Sequence, residues 1–144
     1  MPSGGRTDPY RNFNFRVEID GVTQSMFSEV ILPEARADVI EYREGGEPSI
    51  VRKLPGRIHF GNLILKWGTT TSHELYDWWR TVQDGHAVRK SLSVILLDES
   101  QNEVKRWNFR HAWPMRYQPP VLNAQGTEVV IELLEIAHEG MELA

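Results

Sequence analysis

The chain has 144 residues, a formal charge of -4 and no cysteine. That length suits about one domain, 1–144, able to bury roughly 68% of its unfolded surface, and the missing cysteine excludes a disulfide framework or a thiolate site. The mixed, slightly acidic charge argues against a nucleic-acid binder, which would carry a basic face, and no apolar run approaches the ~20 residues of a spanning helix.

Residues 1–9 are Gly, Pro and polar side chains, which predict a flexible arm. Met1-Pro-Ser-Gly-Gly-Arg6 has no apolar h-region of the kind a secretory signal needs. Phe13, Phe15, Val17 and Ile19 alternate with Asn14, Arg16 and Glu18, the pattern of a half-buried strand. Asp20-Gly21 is a hairpin turn signal. A second strand is expected from Gln24 to Ile31, ended by Pro33, and a third from Val39 to Arg43.

Residues 44–62 differ. Gly45-Gly46, Pro48, Pro55-Gly56 and Gly61 punctuate the segment too often for a core element. Segments of this length without strong periodicity are usually functional or mobile. Ile50 and Val51 allow it to pair as an extended arm. Leu63, Leu65 and Trp67 then alternate with Ile64 and Lys66, a strand ended by Gly68.

A helix over 72–84 follows. Thr71 and Glu74 fit a capping box, Leu75, Trp78, Trp79 and Val82 make one apolar face, and Gly85 supplies the stop. Ser91 to Leu97 and Val104 to Ala112 read as strands joined by the polar turn 98–103, with Trp107, Phe109 and His111 on one face. The last segment, Glu128 to Gly140, reads two ways. Glu128, Glu132, Glu135 and Glu139 fall on one helical stripe, whereas Val129, Val130, Ile131 and Ile136 favour a pleated strand. The expected architecture is mainly β (α+β): an antiparallel β-barrel or sandwich with one flanking helix and an extended arm.

The chemistry-bearing residues are sparse. His73-Glu74-Leu75-Tyr76-Asp77 resembles half of a metalloprotease motif, but Asp77 stands where a zinc site wants its second histidine. An exposed polar helix face is the better account. His59, His73, His86, His111 and His138 are scattered, and neither a Gly-x-Ser-x-Gly elbow nor a Walker loop is present. Asp98 and Glu99 sit in a polar hairpin, where solvated charge is the default. Trp67, Trp78, Trp79, Trp107 and Trp113 could form a stacking platform, although core packing suits Trp78 and Trp79 better. No enzyme and no cofactor is expected.

Several segments together resemble the tail-tube proteins of contractile phages and related contractile injection systems. They are Asp8-Pro9-Tyr10-Arg11-Asn12-Phe13 leading into Phe15 to Gly21, then Glu41 to Gly46, Arg52-Lys53-Leu54-Pro55-Gly56, Leu63 to Gly68, Leu75 to Trp79, Trp113-Pro114, Pro120 to Ala124 and Glu135 to Gly140. They run in the family order over nearly the whole chain. Glu29-Val-Ile-Leu-Pro33 departs from the family, which often has a longer Gly-containing segment there.

The resemblance implies a barrel-like subunit that forms hexameric rings. Stacked rings make a hollow tube inside a sheath, assembled in the cytoplasm, with sheath, baseplate, spike and tube-terminating proteins as partners. Cargo effectors or DNA occupy the lumen, which the chain's acidic surplus would suit, and this chain does not itself insert into a membrane. It also implies an interface role for Arg43, Gly45, Gly46, Arg52, Lys53, Leu54, Pro55 and Gly56, and a strand over about Glu128 to Ala137. The rival expectations are a carbohydrate-binding β-barrel using Trp67 or Trp107, and a metal hydrolase using His73, Glu74 and Asp77.

Overall fold

The computed structural model describes residues 14–24, 27–43, 45 and 49–144. The expected arm at 1–9, the start of the first strand at Phe13, and Gly46 lie outside the described residues.

Ten strands and one helix are described: β1 Phe15–Ile19, β2 Val22–Gln24, β3 Phe27–Ile31, β4 Ala35–Tyr42, β5 Arg52–Phe60, β6 Leu63–Gly68, α1 Glu74–Gln83, β7 Lys90–Leu97, β8 Glu103–Gln118, β9 Ile131–Ala137 and β10 Met141–Leu143. Every strand pair is antiparallel. The order β2-β1-β7-β8-β9-β6-β3 runs between two layers, because β8 belongs to both. Residues 103–112 of β8 pair with β7, and residues 113–118 pair with β9. The bend between them holds His111 at φ 50°, with register shifts on either side of the corner.

The layers face each other across an apolar core. Val17, Ile19, Leu92, Val94 and Phe109 come from one, and Leu63, Leu65, Trp67, Leu134 and Ile136 from the other. Period-two patterning explains this directly, since β6 alternates buried and half-buried residues from Leu63 to Gly68. The arrangement is a sandwich; among the described residues β2 and β3 end the path and no barrel closes.

Asp20 and Gly21 both take positive φ, 51° and 78°, and close the β1–β2 hairpin beneath the Ile19–Val22 pair. The second expected strand is two pieces, β2 and β3. The third starts earlier, at Ala35. The Val104–Ala112 strand continues through Pro114 to Gln118, and His111 leaves the face of Phe109: Phe109 is buried, while the His111 side chain is 63% exposed beside Glu139.

Helix α1 begins two residues later than the capping-box reading. His73 is the N-cap without a side-chain cap, and the Asp77 N–H donates to the His73 carbonyl. The preceding residues are committed elsewhere: the Thr69 N–H donates to Val130 O and the Ser72 N–H to Thr70 Oγ1. The helix ends as expected, with Gly85 at φ 89°. Leu75 and Trp78 enter the core, and Trp78 Nε1 donates to Val88 O at 2.7 Å.

The C-terminal ambiguity resolves to a strand over Ile131–Ala137, with 128–130 outside it. Leu134 and Ile136 are fully buried. Glu132 and Glu135 point to opposite faces, so their helical spacing is a coincidence of two strand faces.

Candidate assembly surface

Strands β4 and β5 form a two-stranded ribbon outside the sandwich. Of the arm expected at 44–62, residues 52–60 are the returning strand of that ribbon. β4 continues from β3 past Pro33, β5 returns into β6, and the Gly61 N–H donates to Glu34 O to close the base. Neither strand packs extensively against any other element. All eight residues of β4 are exposed.

The register places two residues of β5, Gly56 and Arg57, opposite Asp38, a bulge between the Ala37–Ile58 and Val39–Pro55 pairs. A Cβ at Gly56 would sit tightly against its neighbours, 3.1 Å from Ile40 Cγ1 and 3.3 Å from Asp38 Cβ. Alternation then sets the faces. One carries Val39, Pro55 and Ile58; the other carries Ile40, Tyr42 and Leu54. Both faces are thus apolar and exposed, interspersed with Arg36, Asp38, Glu41, Lys53 and Arg57. Asp38 Oδ2 and His59 Nε2 lie 2.8 Å apart across the ribbon.

The base is anchored by His138, which sequence reasoning treated as one of five scattered histidines. A carbonyl only accepts, so Nε2 donates to Gly61 O at 2.9 Å. Nδ1 accepts from the Gly140 N–H at 3.2 Å. The ring lies between Phe60 and Phe109, with centroids at 5.8 and 5.0 Å. A histidine next to a glycine-containing turn is the only sequence signal for this, and it is too common to find the contact.

Of the expected interface residues, Arg43, Arg52, Lys53, Leu54 and Pro55 are exposed on the ribbon, Gly56 sits half-buried in its bulge, and Gly45 lies exposed in the turn. Sequence reasoning missed the apolar residues Val39, Ile40 and Ile58 as part of the same surface. Their pairing with 52–60 becomes visible only once the register is known.

The opposite end of the β6–β9 layer carries a second apolar surface. The 119–130 segment joins the end of β8 to β9. Val121 is 84% exposed, Leu122 80% and Val129 75%. A groove of about 570 Å³ runs past Val121, Asn123, Glu128, Val129, Val130 and Ile131.

The outer faces of the two layers are polar and paired. On one, the Arg106 guanidinium donates to both Glu103 oxygens, at 3.1 and 2.7 Å, and to Glu18 Oε1 at 3.1 Å. Those bonds hold the Glu103 carboxyl below its ordinary range and raise Arg106 further above its own. On the other, Asn62 and then Arg116 donate to Glu135 and keep its carboxyl low. On the inner face, where Tyr117 pairs with the buried Leu134, burial first and then the 2.5 Å bond to Glu132 pushes the Tyr117 hydroxyl up to about 12.

The residues of the rival readings do not converge. His73 and Glu74 start the helix and Asp77 follows one turn on, all exposed. Among the described residues no three His, Asp or Glu side chains gather as a ligand set. Trp67 is buried edge-to-face against Phe27, with centroids 6.1 Å apart, so it offers no stacking platform. Trp107 is half-buried under Lys105 at the edge of a smaller groove with Phe15, Val30 and Val94.

The described residues thus form a sandwich with ion-paired outer faces and with exposed apolar residues on a projecting ribbon and on the 119–130 segment, a pattern suited to contact with other chains. Comparison with known proteins agrees. The family described as T4-like virus tail tube protein gp19 matches residues 11–142, so the chain belongs to that family and is a structural tube protomer. The same fold is found in a chain of the anti-feeding prophage baseplate, with 23% identity over 96% of this chain and 97% of that one and a TM-score of 0.84. A chain of the sheath-tube complex of an extracellular contractile injection system, PVC, shares 22% identity over 94% and 91%, with a TM-score of 0.85. Hcp1 from Flavobacterium johnsoniae is more distant, with 18% identity over 90% and 93% and a TM-score of 0.55. No individually curated protein sequence matches the chain.

Proposed function

We propose that this chain builds hexameric rings that stack into the hollow inner tube of a contractile tail or contractile injection particle. The whole chain acts as the unit, and its role is mechanical, with no bond chemistry. The observation that carries the reading is the β4–β5 ribbon, apolar and exposed on both faces. A two-stranded hairpin is marginal on its own in water, so such a ribbon is stabilised by what it docks against. The interface residues are Arg43, Gly45, Gly46, Arg52, Lys53, Leu54, Pro55 and Gly56, extended by Val39, Ile40 and Ile58. Obligate interfaces of this kind bury over ~2,000 Å².

The structural neighbours support the partner set: their named assemblies are a baseplate, a sheath-tube complex, a tube-terminating cap and a sheath/tube terminator. Here the partners are further copies, a sheath protein, baseplate or spike proteins and terminators, and the lumen carries effector protein or DNA. Assembly takes place in the cytoplasm, before the particle acts at its target.

Negative-stain microscopy of the purified protein tests this. Rings or tubes are expected. Deleting residues 47–56 should leave a folded subunit that forms no tubes. A wild-type protein that stays monomeric at high concentration would overturn the proposal.

A further inference from the structure

The chain carries a formal charge of -4, yet one corner of the sandwich is basic. Strand β7 begins at Lys90, which pairs with Ala112. That pairing brings Arg89 and Lys90 beside Arg110 and His111 at the bend of β8. The Asp20 turn closes the corner: the Asp20 N–H donates to Ser91 O at 2.8 Å, and the Ser91 N–H donates to Asp20 Oδ1 at 2.9 Å. A pocket of about 210 Å³ lies between these residues, lined by Asp20, Arg89, Lys90, Ser91, Arg110 and His111.

Three cationic side chains, Arg89, Lys90 and Arg110, share this wall with a single carboxylate, Asp20, and one oxygen of that carboxylate is held by the Ser91 N–H. Elsewhere on the sandwich, cations are matched: Arg16 and Arg106 with Glu18, Lys66 with Glu29, and Arg116 with Glu135. Among the described residues Arg89, Lys90 and Arg110 have no such ion pair. Two of them are nonetheless positioned. Lys90 is half-buried, with Nζ 5.5 Å from the centroid of the Trp78 ring. Arg110 Nη2 donates to the Glu139 carbonyl at 3.4 Å and lies over Gly140, where an added Cβ would collide with it. Cations held in place before a partner arrives reduce the ordering cost of binding.

We infer that this pocket binds clustered carboxylates of an acidic protein segment, Arg89 and Arg110 gripping them with their guanidinium forks and Lys90 adding a point charge. The surroundings favour a short acidic segment over nucleic acid. Duplex DNA carries one negative charge per ~1.7 Å of axis, and its neighbouring phosphates would meet Asp20 in the wall and Glu139 beside His111. A peptide places a few carboxylates in the pocket and neutral residues against those acids. The site is complete in one copy of the chain, so the inference holds whether or not copies assemble.

Fluorescence anisotropy on the full chain tests this with a labelled, capped oligoglutamate peptide. The peptide should bind, and more weakly as salt rises. Arg89→Gln with Arg110→Gln should weaken binding about tenfold; both side chains are exposed, so circular dichroism should show an unchanged fold. Arg57→Gln with Lys105→Gln removes the same charge from exposed sites elsewhere and should leave the affinity as it is. No binding of the peptide, or equal loss in the two double variants, overturns the inference. Displacement of the peptide by inorganic phosphate, or by an oligodeoxynucleotide of matched charge, assigns the pocket to phosphates and also overturns it. If the wild-type chain forms rings or tubes and the Arg89, Arg110 variant does not, the pocket belongs to a contact between copies, and the inference fails.

Discussion

Strands β6 and β4 are built from similar material and meet opposite fates. In β6, Leu63, Leu65 and Trp67 alternate with Ile64 and Lys66, and all three are buried. In β4, Val39, Ile40 and Tyr42 stand in a strand that is exposed at every position. The difference lies in what pairs with each: β6 has β3 and β9 on its two sides and a second layer over its inner face, whereas β4 has β5 alone. Burial is thus decided by tertiary partners: an apolar strand with few of them among the described residues stays exposed, the kind of surface that often serves contact with other chains.

Mutation separates the two regions by size and kind of effect. The largest loss is expected for Phe109→Ala. This fully buried ring packs in the core and against His138, and its removal should cost about 3–5 kcal/mol in denaturant unfolding. Trp78→Phe keeps most of the ring but orphans the Val88 carbonyl, for a loss of about 1–3 kcal/mol. Gly21→Ala places a side chain at φ 78° in open space, so strain alone should cost about 1–2 kcal/mol.

A smaller effect is expected on acidification. Bonding to Asn62 and Arg116 keeps the Glu135 carboxyl low in the folded chain. Its contribution is therefore present above the unfolded carboxylate pKa and is lost as pH falls through the lower folded value. Glu135→Gln should flatten that part of the acid limb in a pH series of thermal melts. The smallest change in stability, within about 0.5 kcal/mol, is expected for Leu54→Asp on the ribbon. The same substitution should remove tubes from electron micrographs. If Leu54→Asp instead destabilised the isolated subunit as Phe109→Ala does, the division between the two regions would fail.

Much of the sandwich was legible from local pattern. Alternation marked β1, β6 and β7, and the Asp20-Gly21 turn was readable because its two positive φ values demand those residue types. The helix face was readable too, but not its start, which falls two residues beyond Thr71, at His73, without a side-chain cap. The ribbon was half legible: its glycines and prolines spoke against a core element, which is correct, yet they also hid a nine-residue strand whose bulge absorbs Gly56. What stayed hidden is long-range. Neither the passage of β8 through Pro114 nor the His138 tie between Gly61 and Gly140 has a local signature.

Strand β8 has a mechanical consequence. One continuous stretch of backbone, Glu103–Gln118, is hydrogen-bonded into both layers. Sliding one layer over the other therefore cannot proceed by breaking side-chain contacts alone; it must also straighten or stretch covalent chain at the His111 corner. A load applied to either sheet is transmitted through peptide bonds to its partner, and the subunit responds as one stiff plate.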